Sequence, residues 1–237
     1  FRLERPEGFR FEAGQFIMIG LPGDDGRPIM RAYSIVSPTW DEELEFYSIA
    51  MPDGQLTSRL KHIQVGSKVL MAARAVGTLT LQSLKPGGKR LYMLSTGTGI
   101  APFCSILREE ETYERFEQVI LTHTCRRVED LKFGYDKIAE TIDCPLVGED
   151  AAPKVRHYAS VTREAFEHEG RITTLIENGQ MFRDLDNPPL NPAEDRVMIC
   201  GSMEMLNDLR ELMDACKMGH GTAREAGEFC WEKAFAG

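Results

Sequence analysis

Near residue 90 the hydrophobic period of this chain changes. Before that point, short runs of Phe, Ile, Val, Leu and Tyr alternate with Gly, Pro and Asp. Strands are expected at 15–21, 32–36, 44–50 and 68–72. Strands this short, this close and separated by turns predict a small antiparallel barrel. After it, the apolar run 90–95 leads into Thr96-Gly97-Thr98-Gly99-Ile100-Ala101-Pro102 and a helix over 103–110. Further strands are expected at 118–124, 154–159, 196–200 and 228–231, with helices at 128–141, 171–178 and 203–218. Strands that alternate with helices make a parallel sheet, because each parallel return needs a crossover. The turn-rich segment 82–89 then reads as a boundary, giving units 1–86 and 87–237. A chain of 237 residues suits two modest domains.

Charge and cysteine usage exclude several classes. The net charge of −9 argues against a general nucleic-acid binder. No apolar run approaches the ~20 residues needed to span a membrane, and no signal peptide is visible. The six cysteines are scattered, with no C-x-x-C pair and no zinc or iron–sulfur spacing. No metal site is expected, and reduced thiols and a cytoplasmic location are. Redox chemistry would therefore fall to an organic cofactor or an isolated Cys. The chain opens at Phe1 without Met, in mid-pattern, so one strand is expected to be missing from the barrel.

Several short stretches carry chemistry. Gly97-x-Gly99-x-x-Pro102 lies between a strand and a helix, where a nucleotide diphosphate sits in such folds. It lacks the third glycine of the usual fingerprint, and Pro102 suits a first helical turn. Thr162 and Arg163 follow one strand and Arg126 follows another, both at the edge where open sheets bind ligands. An arginine there suits a 2′-phosphate. Cys200-Gly201-Ser202 repeats the strand-end geometry, with Ser202 placed to cap the next helix. Earlier in the chain, Arg31-Ala32-Tyr33-Ser34 offers a guanidinium, a ring and a hydroxyl, suited to a flat anionic ligand. On extended chain Arg31 and Tyr33 share one face and Ala32 and Ser34 the other. Gly54 permits a tight turn, and with Thr57 and Ser58 at a helix start it suits an anion. His123 and His157 read as satisfied strand histidines.

Taken in this order, with Val76-Gly77-Thr78-Leu79-Thr80 and the closing Glu232-Lys233-Ala234-Phe235-Ala236-Gly237, these stretches resemble the ferredoxin–NADP reductase family, in its bacterial branch, over nearly the whole chain. The resemblance implies a six-stranded antiparallel flavin barrel, a five-stranded parallel NADP-binding sheet with helices on both faces, and FAD in the cleft between them. Tyr33 would stack on the flavin and Ser34 would lie near its N5. Arg31 and Thr57 would hold the diphosphate, with Gly54 and Leu56 at the same turn. Tyr47, Ser48 and Ile49 would complete the site, and Thr98 would touch the cofactors at the cleft floor. NADP would lie on Gly97, Gly99, Pro102, Gly201 and Ser202, its 2′-phosphate on Thr162 and Arg163 with Arg126 and Arg196. Cys200 would sit by the nicotinamide and Glu232 near the reacting rings, making Ser34, Cys200 and Glu232 the expected catalytic group. Ala234, Phe235 and Ala236 would cover the flavin, where the plant-type branch has an aromatic residue at the chain end.

The implied activity is hydride transfer between NADP(H) and flavin, coupled to a one-electron carrier, ferredoxin or flavodoxin, by a monomer. Arg5, Arg10, Lys61, Lys68 and Arg74 are candidates for a docking patch. The alternatives are a flavin reductase or oxygenase reductase component of the same fold, and a noncatalytic NADP-binding redox sensor.

Overall fold

The computed structural model describes residues 1–51 and 53–234. The first part is antiparallel. Strands β1 (Arg2–Glu4) and β4 (Glu43–Glu45) pair with each other, and β3 (Pro28–Ser34), β2 (Phe16–Pro22) and β5 (Leu70–Met71) form a three-stranded sheet in that order. Isolated bridges join Phe16 to Val76 and Ile35 to Phe46. Among the described residues the barrel is thus five short strands and these bridges. Ile17 and Ile19 alternate inward from β2 and meet Tyr33, Ile35, Leu44, Phe46, Leu56 and Leu60 in one core. The expected helix after Gly54 is a single turn, α1 (Thr57–Leu60).

The second part is a five-stranded parallel sheet. It contains β6 (Arg90–Thr96), β7 (Gln118–Cys125), β8 (Val155–Val161), β9 (Asp195–Gly201) and β10 (Phe229–Lys233), in the order β10-β9-β6-β7-β8. Strand alternation divides its side chains between two cores. Leu91, Met93, Val119, Leu121, Met198 and Cys200 face one side, while Tyr92, Leu94, Ile120, Val197 and Ile199 face the other. The helices are α2 (Ala101–Ile106), α3 (Glu110–Arg115), α4 (Lys132–Ile142), α5 (Gly148–Lys154), α6 (Ile172–Glu177), α7 (Gln180–Asp184) and α8 (Met203–Ala215).

Two helices differ from expectation for local reasons. The helix expected over 103–110 stops early, since the Thr112 and Tyr113 hydroxyls donate to the carbonyls of Ile106 and Leu107 at 2.6 and 2.5 Å. The chain is extended at Glu109 and restarts as α3. The helix expected from Val128 begins as a 3₁₀ turn, Val128–Leu131, and becomes α-helical only at Lys132.

The two parts share a bonded seam. Val36 and Leu79 join the core of the parallel sheet. Glu109 accepts the Thr39 N–H and hydroxyl at 2.7 and 2.9 Å. Ser105 donates to the Ser37 carbonyl at 2.8 Å, and the Trp40 indole N–H to the Arg108 carbonyl at 3.0 Å.

Candidate active site

The glycine turn after β6 is locked to the end of β9. Gly97 adopts φ +53°, in the left-handed region that glycine tolerates. At Gly99 an added Cβ would lie 2.1 Å from the Cys200 carbonyl oxygen, so no larger residue fits this approach. Across the same gap, Ser202 donates its N–H to Thr96 Oγ1 at 3.2 Å. Ser202 also caps α8, its hydroxyl accepting the Met205 N–H at 3.3 Å. Pro102 lies in the first turn of α2, where its missing N–H is no loss. Beneath the turn, buried His123 contacts the Gly97 carbonyl through Nε2 at 3.1 Å. Burial pushes this imidazole down to about 4.

Further along the sheet edge, the segments after β7 and β8 are tied together. The Thr162 N–H donates to the Cys125 carbonyl and the Arg163 N–H to that of Arg126, each at 3.1 Å. Arg126 and Arg163 are thereby brought side by side at the C-terminal ends of neighbouring strands. Both are exposed, and neither guanidinium has an ion-pair partner among the described residues. This is a cationic strand-end pair of the kind that receives phosphate.

Arg196 does not join them, which corrects the expectation for that residue. It sits at the start of β9, the opposite end of the sheet, and is 4% exposed. Its guanidinium donates to the carbonyls of Lys85, Pro86, Pro192 and Asp195 at 2.6–3.0 Å. It fastens the segment before β6 to β9, at the end of the sheet away from Arg126 and Arg163.

Between the two parts lies a small cavity lined by Ala32, Tyr33, Ser34, Tyr47, Thr98, Ala101 and Ala234. Six of these seven were expected from the sequence, and Ala101 was not. Its position two residues past Gly99 was the available signal. Three consecutive residues line one cavity, although alternation separates Tyr33 from Ala32 and Ser34. The reason is that β3 is the outer strand of its sheet and ends at Ser34, so the cavity meets it across an edge. Tyr33 is buried, and its hydroxyl lies 3.1 Å from Ser48 Oγ.

The remaining first-part residues shape a loop beside this cavity. Arg31 donates to Gln55 Oε1 at 2.8 Å. The buried Thr57 hydroxyl accepts the Met51 N–H at 3.2 Å, and a Cβ on Gly54 would sit 2.2 Å from it. Leu56 is fully buried in the barrel core and Ile49 is exposed. Of the docking candidates, Arg5 is consumed internally, donating to the carbonyls of Phe9, Thr39 and Asp41.

Ser95, Cys200 and Glu232 are in register on β6, β9 and β10, so their side chains share one face. The Cys200 thiol does not line the cavity. It is 1% exposed within the core, and burial pushes it well above the ordinary thiol range. Cys200, expected beside the nicotinamide, holds its thiol in the core, and its carbonyl is the group that shapes the glycine turn. Glu232 Oε1 accepts the Thr78 N–H at 2.9 Å, and burial pushes its carboxyl up to about 7. Phe235 and Ala236, expected to cover the flavin, lie outside the described residues.

A flat, uncharged ring suits this cavity. Ala32, Ala101 and Ala234 leave room, Tyr33 and Tyr47 supply aromatic surface, and Ser34 and Thr98 supply hydroxyls, with no charged side chain in the lining.

Comparison with known proteins agrees with this geometry. Residues 1–78 match the oxidoreductase FAD-binding domain and residues 93–211 the oxidoreductase NAD-binding domain. The chain is 50% identical to the flavodoxin/ferredoxin–NADP reductase of Rhodobacter capsulatus, over 100% of this chain and 87% of that protein. It is 52% identical to ferredoxin–NADP reductase A of Sorangium cellulosum, over 98% of this chain and 83% of the relative. Its fold superimposes on a ferredoxin NADP+ reductase from Neisseria gonorrhoeae with bound FAD and NADP, with a TM-score of 0.88 and 33% identity, covering 99% and 92% of the two chains. On fold, sequence and cleft alike, the chain belongs to the ferredoxin (flavodoxin)–NADP reductase family.

Proposed function

We propose that this protein is an FAD-dependent NADP(H) reductase that exchanges electrons with ferredoxin or flavodoxin. The observation that carries the reading is the seven-residue cavity, built from both parts of the chain and adjoining the strand-end crevice. In this reading residues 1–86 serve the flavin and residues 87–237 the NADP. Tyr33 and Tyr47 hold the flavin ring, and Ser34 and Thr98 face its polar edge. Arg31, Gly54 and Thr57 serve the diphosphate. Gly97, Gly99, Gly201 and Ser202 cradle the NADP diphosphate, and Thr162, Arg163 and Arg126 take its 2′-phosphate. The flavin, when bound, supplies the exchange of a hydride with NADP(H) and of single electrons with the carrier. The protein's share is to bind the two rings in contact, exclude water and fix Glu232 near them.

The curated relatives named for flavodoxin and ferredoxin support a one-electron carrier as partner. A cytoplasmic setting is supported by the six cysteines, all free. We take the working form to be a monomer, which light scattering tests.

An absorbance titration checks the whole reading. The purified protein should show flavin bands that bleach rapidly with NADPH and slowly with NADH. It should then reduce ferredoxin or flavodoxin catalytically. Release of the flavin on dilution would make it a flavin reductase, and no NADPH:ferricyanide activity would make it a binding module.

A further inference from the structure

We propose that Phe133 and Lys137 of α4 are positioning residues for hydride transfer, setting the ring of Tyr47 at the wall of the flavin cavity. The proposal rests on the reading of that cavity as the flavin site.

The pairing is a two-point register between a helix and an extended segment. Phe133 and Lys137 are four residues apart on α4 and so share one helix face. Glu45 closes β4 and Tyr47 follows two residues later, so on extended chain they also share a face. The two faces meet point for point. The Tyr47 and Phe133 rings are stacked, with centroids 3.8 Å apart and planes 3° from parallel. Lys137 Nζ lies 2.7 Å from Glu45 Oε1, with the two side chains 6% and 13% exposed. The same ammonium lies 2.7 Å from Glu140 and 5.6 Å from the centre of the Phe133 ring. A ring stack alone lets two surfaces slide and rotate. A buried ion pair alone lets them pivot. Together they hold Tyr47 in both respects.

Tyr47 also lines the cavity with Tyr33, Ser34 and Thr98. Its position is therefore set from the far side by a helix that itself contributes nothing to the cavity lining. Hydride transfer needs reacting atoms roughly 3–3.5 Å apart, and a displacement of about 1 Å can cost on the order of a hundredfold. A shift of Tyr47 against its neighbours reaches the bound ring directly.

The test uses the FAD-loaded protein, read by the visible circular dichroism of the flavin and by the stopped-flow rate of reduction with NADPH. Phe133→Ala and Tyr47→Ala should both alter the dichroism and slow reduction at least ~10-fold. Phe133→Tyr, which keeps the stack, should leave both near wild type. Lys137→Met, which removes the ammonium shared by Glu45 and Glu140, should slow reduction, and Lys137→Arg should restore it. Phe133→Leu stands in should the alanine variant not fold. If Phe133→Leu lowers only the melting temperature while Tyr47→Ala changes dichroism and rate, the positioning role is overturned and the cavity reading stands. If Tyr47→Ala leaves the flavin signal and the rate unchanged, the cavity reading fails and the proposal with it.

Discussion

Glu232, on the last strand of the parallel sheet, accepts the backbone N–H of Thr78 in the antiparallel part at 2.9 Å. The two residues are 154 positions apart in sequence. This carboxyl closes the seam beside the cavity, yet among the described residues it is paired with no cation. Burial raises it from 4.5 to about 7, and the Thr78 N–H opposes only part of that rise. The fold therefore favours the neutral acid. The unfolded chain ionises first, so the cost to stability grows as pH rises from about 4.5 and levels off above about 7. Glu232→Gln should leave stability near wild type at pH 4 and raise it at pH 8, by at most ~3 kcal/mol. Denaturant unfolding at the two pH values checks this.

With Ser34 and Glu232 proposed at the reacting centre, Ser34→Ala and Glu232→Ala should slow reduction by NADPH more than they weaken FAD binding. Stopped-flow rates set against FAD affinity measure the split, and unchanged rates in both variants would sink the assignment of these side chains to the reacting centre.

Choice between NADPH and NADH should follow Arg163. In the proposed reading Arg163→Ala removes a charge-assisted phosphate contact, and it should then weaken NADPH binding by roughly 1.5–3 kcal/mol while sparing NADH. Arg196→Ala should behave oppositely. It leaves four carbonyl partners without their donor and should lower stability by about 1–3 kcal/mol. The NADPH/NADH ratio should not move. Steady-state kinetics with both nucleotides, beside thermal melts, separate the two arginines.

Gly99→Ala forces a methyl group toward the Cys200 carbonyl, at a starting distance of 2.1 Å. The turn must shift, and overpacking of this kind costs about 1–3 kcal/mol. NADPH affinity should fall along with stability, whereas Gly26→Ala, with open space around it, should move neither beyond the strain of its own turn.

Acid should loosen the β7–β8 side of the sheet. Burial lowers His123 and His157 to about 4 each from the ordinary 6.5, and His123 adds to the lowering of His157. Their neutral forms contribute full stability above about 6.5, and this is lost as pH falls toward 4. Up to ~3 kcal/mol per histidine is at stake. Urea midpoints between pH 7 and pH 4.5 should fall steeply, and less so in His157→Gln.

The strands of the parallel sheet were readable because each is an apolar run bounded by turn residues. β7 departs from expectation by one residue at one end and β9 by one residue at each end. The cavity residues were readable wherever a motif held them, as with Tyr33, Ser34 and Thr98. Arg196 was misread because its sequence neighbourhood shows that it is in a strand but not which end of that strand it occupies. Whether the Cys200 thiol meets cavity or core was not legible, because a register of three strands decides it. The contacts of Phe133, Lys137 and Glu45 had no local signal at all. They arise where an ordinary amphipathic helix docks on a segment about ninety residues earlier, and only tertiary packing creates that meeting.

The strand order β10-β9-β6-β7-β8 also sets a sequence of assembly. β6 finds β7 across one short crossover, but it finds β9 only after about a hundred further residues, and β10 adds last to β9. Long-range parallel pairings are slow to form. The glycine turn can thus take shape while the wall carrying Glu232 and Ala234 is still absent. A chain ending before β10 would carry the nucleotide turn but lack Glu232, which bonds Thr78, and Ala234, which lines the cavity.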